Sequence, residues 1–381
     1  MYDQIREDTL FIILYSVVTA LSMMASCYLL FRRGNAIAPD VTPPVRLRRW
    51  TSALFAAITL NHLWYMPIFF HTSNEDIMTT DLVGGLLDSI VVFPLTIVVM
   101  FAMLQDRRRP LWPIAVMFLP FAVGSAMCVA TRSYANLSIL YVYALLMWIG
   151  LIIYMVHATR QYGHWLRDNY ADLEHKEVWQ SFLVLAIMLL VFVVYAFVGE
   201  GPAYQYAMQV IAVVLIYYLL WRVEALSDLS TPFVPAESDT GDYQSSMAED
   251  NGDYQSSKGL SQANRDNIET LLQRLCIDTK LYLQHDLTAQ QLAQAIGTNR
   301  LYLSQYFSSQ DMTYNTYIND LRIDHFVSLY QEAVTTNRVF TIQQLAQESG
   351  YNSYSTFCSV IKRKMGKSVT AWIKDAEFPK L

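Results

Sequence analysis

Seven long apolar segments lie before residue 225 and constrain the fold of this chain more than any other feature. Each is close to the ~20 residues that a helix needs to cross ~30 Å of hydrocarbon. Buried helices of soluble proteins are rarely so long and so apolar, so seven in succession predict a bundle of transmembrane helices. The predicted spans are Thr9–Phe31, Trp50–Phe70, Leu82–Leu104, Leu111–Ala130, Tyr134–Val156, Val178–Val198 and Tyr204–Trp221.

Composition divides the chain into three regions. Of the 381 residues, 54% are apolar and only 16% are charged, whereas soluble domains are about one-quarter charged. A stretch from Asp228 to Lys258 is acidic and contains GDYQSS twice, at Gly241–Ser246 and Gly252–Ser257, which predicts a flexible linker. We therefore expect an all-α protein with a transmembrane domain at 1–225, a linker at 226–261 and a soluble domain at 262–381.

The positions of lysine and arginine predict the orientation of the bundle. Cations gather in cytoplasmic loops, and here they occupy alternate loops. One side of the bundle carries only Arg6 and Arg132. The N-terminus is therefore expected outside and the C-terminus in the cytoplasm of a bacterial inner-membrane protein. The cations of the other side are Arg32, Arg33, Arg46, Arg48, Arg49, Arg107, Arg108, Arg109, Arg160, Arg167, Lys176 and Arg222.

Several chemistries are disfavoured by what the sequence lacks. The cysteines form no CxxC pair, which argues against a disulfide framework and against a zinc site. The last predicted span has no lysine for a retinal Schiff base, and HExxH is absent. We predict neither a metal nor a cofactor and no enzymatic activity. The cysteines are Cys27, Cys128, Cys276 and Cys358.

Three polar residues within predicted spans are candidates for a signal site. They are Asn61, His62 and Asp88. An ionisable group at membrane depth is costly and therefore points to function. For Asp88, a helix–helix hydrogen bond or a position near the interface is an equal alternative, since it lies a turn or two into its predicted span. For His62 a structural hydrogen bond is the favoured interpretation.

The soluble region contains a first helix-turn-helix pattern at Leu287–Phe307, LTAQQLAQAIGTNRLYLSQYF. Apolar residues recur at helical spacing up to Ile296. Gly297 suits the left-handed position that ends a helix, and Asn299 is a good N-cap for the next one. Helix, short glycine turn and second helix make up the helix-turn-helix unit.

A second unit follows at Phe340–Lys364, FTIQQLAQESGYNSYSTFCSVIKRK. It repeats QQLAQ and places Gly350 at the offset of Gly297. Asn352 or Ser353 is expected to cap its second helix. One such pattern is weak evidence, but two in register within about sixty residues are strong evidence for a paired domain.

The segment between the two units, Met312–Val334, predicts one long helix that begins after Thr313. About 20 helical residues span ~30 Å. Major-groove faces one turn apart on DNA are separated by ~34 Å. A helix of this length can therefore hold two recognition helices in successive turns on one face of a duplex.

These motifs resemble the DNA-binding domain of the AraC/XylS family of bacterial regulators. The resemblance covers Gln262–Lys374, under a third of the chain. Gly366 matches a glycine that follows the second recognition helix of the family. The proline expected after it is replaced by Ser368-Val369, which leaves the cap of the final helix open. The resemblance implies a double helix-turn-helix fold that binds double-stranded DNA.

By this resemblance the DNA-facing residues are carried over by position. Arginine and glutamine suit base readout in the major groove, whereas a run of cations suits phosphate contact. Over residues 261–381 the 12 cations nearly balance 11 anions, so the domain is not strongly basic. The base-facing candidates are Arg300, Leu301, Ser304, Gln305, Tyr354, Ser355 and Ser359; the phosphate candidates are Lys362, Arg363, Lys364 and Lys367.

The sequence thus predicts a membrane-tethered one-component transcription regulator whose bundle senses a signal. The expected partners are DNA, the lipid bilayer, a second copy of the chain in a homodimer, and an unidentified small-molecule or membrane signal. The alternative is a transporter or membrane enzyme whose cytoplasmic module regulates its own operon. A purely structural or protein-binding role for the soluble domain is a third interpretation.

Overall fold

A computed structural model describes residues 8–32, 34–39, 41–70, 73–133, 137–184, 186–187, 190, 202–229 and 262–377. Contacts divide the chain into two compact units. The first contains residues 1–162 and 175–232, and the second contains 163–174 and 233–381. In the described ranges the regular elements are helical. The predicted linker at 226–261 lies outside the described residues from residue 230 onward.

The described helices of the first unit follow the apolar segments. Five of them are long and apolar enough to cross a membrane: Thr9–Phe31, Asn74–Met103, Trp112–Thr131, Val142–Asn169 and Gln205–Ala225. We number the helices α1 (Thr9–Phe31), α2 (Val45–Tyr65), α3 (Asn74–Leu87), α4 (Phe93–Met103), α5 (Trp112–Thr131), α6 (Leu137–Asn169) and α7 (Pro202–Ala225).

Two of the seven predicted spans are not among these five. The predicted span Trp50–Phe70 coincides with α2, which begins earlier, among arginines, and carries Asn61 and His62. The predicted span Val178–Val198 lies mostly outside the described residues. Seven spans therefore stay a prediction.

The position of Asp88 differs from the near-end position considered above. Ser73 caps α3 by accepting from the amide of Glu75, and Glu75 and Asp76 favour the positive end of the helix. The helix therefore starts well before the apolar run, and Asp88 lies midway along the 30-residue helical stretch. It opens a π-helical turn, Asp88–Val92, which precedes Pro94, a residue without an amide hydrogen. Such π turns are frequent at functional sites.

The second compact unit of the chain, residues 163–174 and 233–381, contains both predicted helix-turn-helix motifs. The first pairs α9 (Ala289–Ala295) with α10 (Arg300–Ser309), and the second pairs α12 (Ile342–Glu348) with α13 (Tyr354–Met365). The long α11 (Tyr314–Thr335) joins them, α8 (Gln262–Leu272) precedes them and α14 (Val369–Glu377) follows them.

The helix ends confirm the predicted caps. Asn299 accepts from the amide of Tyr302 at 2.8 Å, and Thr313 caps α11. Ser353, rather than Asn352, caps α13. The final helix has a cap in place of the family's proline, since Ser368 Oγ accepts from the Ala371 amide at 3.3 Å.

The two helix-turn-helix motifs repeat each other in detail. Thr288 with Gln291 and Thr341 with Gln344 form equivalent capping boxes at the starts of α9 and α12. Gly297 and Gly350 take left-handed φ angles of 71° and 89°. At Gly350 a Cβ would also lie 2.9 Å from the backbone of Leu283, so this turn needs glycine for space as well as for conformation.

Each helix-turn-helix motif is supported by its own hydrophobic core. Leu303 and Phe307 of α10 pack in one core with Leu292 of α9. Phe357 and Ile361 of α13 pack in the other. The recognition helices are therefore not packed against each other. The connecting helix α11 has 22 residues, about 33 Å at 1.5 Å per residue.

Candidate functional site

The first recognition helix, α10, keeps its predicted reading face accessible. Leu301 is exposed, and Arg300, Ser304 and Gln305 are partly exposed. Leu303 and Phe307, on the opposite face, are buried. Since the buried residues fix the rotation of the helix, the face that carries Arg300 and Gln305 points away from the core.

The second recognition helix, α13, shows the same division. Tyr354, Ser355 and Ser359 are exposed, whereas Phe357 and Ile361 are buried. Gly366, with a φ of 71°, ends the helix, as its place after the recognition helix predicted.

The four basic residues predicted to contact phosphates, at the end of α13 and just after it, differ in their pairing with acidic side chains. Lys362 and Arg363 are exposed, and Arg363 Nη1 donates a long hydrogen bond of 3.4 Å to Asn315 Oδ1. Lys364 Nζ lies 2.7 Å from Asp324 Oδ1, and Lys367 is paired with Asp375. Lys362 and Arg363 are therefore the better candidates for phosphate contact.

Three buried polar residues of α11 were missed by the sequence analysis. Asn315, Asn319 and Arg322 are each at most 3% exposed. Arg322 donates to the carbonyl oxygens of Tyr282 and Gln284, both at 2.8 Å, and burial lowers the pKa of its guanidinium. The i, i+4, i+7 spacing of Asn315, Asn319 and Arg322, which places all three on the helix face that carries Phe326, was the signal that could have identified them.

The first unit contains a cavity of about 840 Å³. Asn61, His62 and Asp88, the predicted signal-site residues, all line it, together with Tyr65 and Gln209. Most of the remaining wall is apolar or aromatic. The structure therefore brings the three candidates to one cavity, as a binding site in a helical bundle requires.

Two hydrogen-bonded groups contain the three candidate residues of this cavity. The wall also includes other polar residues, namely Asp81, Thr96, Thr159, Arg160 and Gln205. Asp88 accepts from Asn61 Nδ2 at 2.6 Å and from the Tyr65 hydroxyl at 3.3 Å. Tyr65 reaches Asp88 by passing Gly84, where a Cβ would lie 2.2 Å from its ring. His62 Nδ1 donates to the carbonyl of Ile58 at 3.0 Å, and its Nε2 lies 3.3 Å from Gln209 Oε1.

The corner of the cavity around Asp88 is rich in hydrogen-bond acceptors. The Asp88 carboxylate is held by two neutral donors, and among the described residues it forms no ion pair with lysine or arginine. Asn61 Oδ1 is buried without a hydrogen-bond partner. An unpaired buried acceptor is costly, so this corner favours a ligand that brings a donor.

Comparison with protein families gives one match, to a family described as helix-turn-helix domain, over residues 292–375. The match begins inside α9 and ends inside α14, so it includes both recognition helices and the helix between them. Comparisons with curated proteins and with solved structures find no match. Residues 292–375 therefore match a helix-turn-helix domain, which supports a DNA-binding module of the AraC type in this part of the chain.

Proposed function

We propose that this protein is a membrane-tethered one-component transcription regulator. The observation that carries the proposal is the pair of helix-turn-helix units, each with its own core, joined by a 22-residue helix. At about 33 Å, this helix has nearly the length of one turn of B-DNA, ~34 Å. The two recognition helices are thus suited to successive major grooves on one side of a duplex.

Direct readout is assigned to Arg300 and Gln305, since their side chains can pair with guanine and adenine edges. Leu301 and Ser304 share that face, and Tyr354, Ser355 and Ser359 form the corresponding face of α13. Lys362 and Arg363 are assigned to phosphates. The near-neutral charge of the domain means that affinity for DNA of arbitrary sequence is modest. Footprinting with the full chain tests this assignment and is described at the end of the Discussion.

Attachment to a bilayer is supported by the surface of the first unit. Only 17–28% of the residues in the five apolar windows are buried inside the protein. Large apolar side chains instead point outward, and a water-soluble protein rarely exposes them in such numbers. Examples are Leu10, Met24, Phe31, Leu119, Ile139, Leu146, Ile153 and Tyr217. With the C-terminus in the cytoplasm, the DNA-binding module lies in the compartment that contains DNA.

The bundle cavity is the proposed sensor site. Its apolar wall suits an elongated apolar molecule, and Asp88 with the unpaired Asn61 Oδ1 suits a positively charged donor at one end of that molecule. Binding would change the packing of the helices around Asp88. Self-association of two tethered chains would then raise the effective concentration of their DNA-binding domains at a double site.

Dodecylamine is a suitable probe of this cavity, with dodecanol as its neutral equivalent. For the full chain in lipid nanodiscs we expect saturable quenching of tryptophan emission by the amine, because Trp148 and Trp179 line the cavity. Asp88→Asn should weaken binding of the amine about tenfold or more, since a charge-assisted hydrogen bond contributes ~1.5–3 kcal/mol. Asp76→Asn, on the exposed first turn of α3, is the matched control.

Equal binding of amine and alcohol, or equal binding by Asp88→Asn and the unmodified chain, would contradict the proposed ligand class. Transport of the probe into vesicles, with DNA binding unchanged by the probe, would favour the transporter alternative.

A further inference from the structure

A short loop segment, Tyr170–Glu174, is built into the DNA-binding unit. It follows α6 directly, and contacts place residues 163–174 in the second unit with residues 233–381. Ala171 is 2% exposed and belongs to the core formed by the first helix-turn-helix unit. Tyr170 forms an isolated antiparallel bridge with Thr288, the N-cap of α9. In sequence, YADLE reads as an ordinary polar loop, so this burial requires specific partners.

The partners come from the central helix. Asn315 Nδ2 donates to the carbonyl oxygens of Tyr170 and Ala171 at 3.1 and 2.7 Å. Asn319 Nδ2 donates to the same Ala171 oxygen at 2.8 Å. These contacts explain the two buried asparagines of α11, since a buried amide must be hydrogen-bonded.

The loop segment also reaches both recognition helices. Thr356, on α13, donates through Oγ1 to Asp172 Oδ1 at 3.0 Å and to Glu174 Oε2 at 3.4 Å. Arg300, at the start of α10, acts electrostatically on the neighbouring Asp168 and on Tyr170. Burial raises the pKa of the Tyr170 hydroxyl, and the Arg300 charge partly offsets this effect. One acidic segment is therefore hydrogen-bonded to the second recognition helix and interacts electrostatically with Arg300 of the first.

The groups that the segment presents to these side chains resemble those of a DNA backbone: oxygen acceptors and negative charge. In the five hydrogen bonds from Asn315, Asn319 and Thr356 the segment supplies only oxygen acceptors, four in all, two of them on carboxylates. Asparagine, threonine and arginine are among the residues that proteins use to hold DNA phosphates. Two carboxylates at this place would also repel a phosphate brought to the same donors.

We infer that the loop segment Tyr170–Glu174 competes with the DNA backbone for one face of the domain and inhibits DNA binding while it is docked. The inference rests on the proposed function. DNA binding then requires the segment to leave, at the expense of the Ala171 burial. The segment continues directly from α6, and Trp148, Leu151 and Met155 of that helix line the cavity. A ligand that displaces α6 could thereby release the segment.

The test uses the full chain in nanodiscs and a duplex selected from random sequences. Asp172→Ala removes an acceptor of Thr356 and is expected to tighten DNA binding about fivefold or more, within the usual range of coupling between sites. Glu177→Ala removes an exposed carboxylate of the same interhelical loop that belongs to the first unit, and should leave the affinity unchanged.

A crosslink that holds the segment in its docked position tests the inference in the opposite direction. In a chain with Cys27→Ser and Cys358→Ser, a short bismaleimide joins Asp172→Cys to Thr356→Cys. The crosslinked chain is expected to bind DNA at least about tenfold more weakly than the same chain without crosslinker. Failure to form the crosslink, unchanged affinity after crosslinking, or unchanged affinity of Asp172→Ala would overturn the inference. If the chains lacking the crosslink also bind no duplex, the proposed function fails and this inference fails with it.

Discussion

Replacing Phe357 with alanine is expected to open the second helix-turn-helix unit while leaving the first one closed. Phe357 is fully buried, and its ring centroid lies 4.6 Å from that of Phe326 and 5.4 Å from that of Tyr351. Truncating a buried phenylalanine costs about 3–5 kcal/mol, from lost burial and the cavity that remains. The cost is local, since Phe357 and the core of the first unit belong to different clusters.

Hydrogen exchange resolved by peptide measures this effect in the full chain. Protection of residues 342–365 should fall by about two to three orders of magnitude, because each 1.4 kcal/mol corresponds to tenfold. Protection of residues 289–309 should change little. Leu303→Ala, at the equivalent position of α10 and 1% exposed, should give the reverse pattern. Equal loss in both units after either substitution would show that the two cores form one cooperative body.

Arg300→Ala and Gln305→Ala are each expected to remove about 1–3 kcal/mol of preference for particular bases, roughly 5- to 150-fold. Both side chains lie on the accessible face of α10, and a paired hydrogen bond to a base edge provides discrimination of this size. The measurement compares affinities of each variant for the selected duplex and for duplexes with single base-pair changes.

Lys362→Ala is the contrasting variant, since Lys362 is exposed and is assigned to a phosphate. It should weaken binding similarly for all duplexes and lower the salt dependence of log affinity by about one. A uniform loss for Arg300→Ala, without altered base preference, would show that the reading face has been misplaced.

Local sequence signals predicted much of this structure. Caps at Asn299 and Thr313 and the left-handed glycines at 297 and 350 each follow from a preference of one residue type at one helix end. The helical spacing of apolar residues predicted the length of α11. These features depend on neighbours within a few residues, so one sequence contains enough information for them.

Features that depend on distant partners were not predictable in this way. The start of α3 was missed for a different reason: its cap at Ser73 is local, but it lies nine residues before the apolar run from Leu82. Lys364 and Lys367 resemble free cations until Asp324 and Asp375 are brought to them by the fold. Nothing near Ala171 indicates that α11 will bury it, because its partners are more than 140 residues away in sequence.

The most direct test of the central claim is hydroxyl-radical footprinting of the full chain in nanodiscs on its selected duplex. The account predicts two protected stretches on one face, with centres one helical turn or ~10–10.5 base pairs apart. Inserting five base pairs between them should abolish protection of one stretch, because a rigid α11 cannot follow a half-turn rotation. A single protected stretch, or two whose protection survives the insertion, would contradict the account.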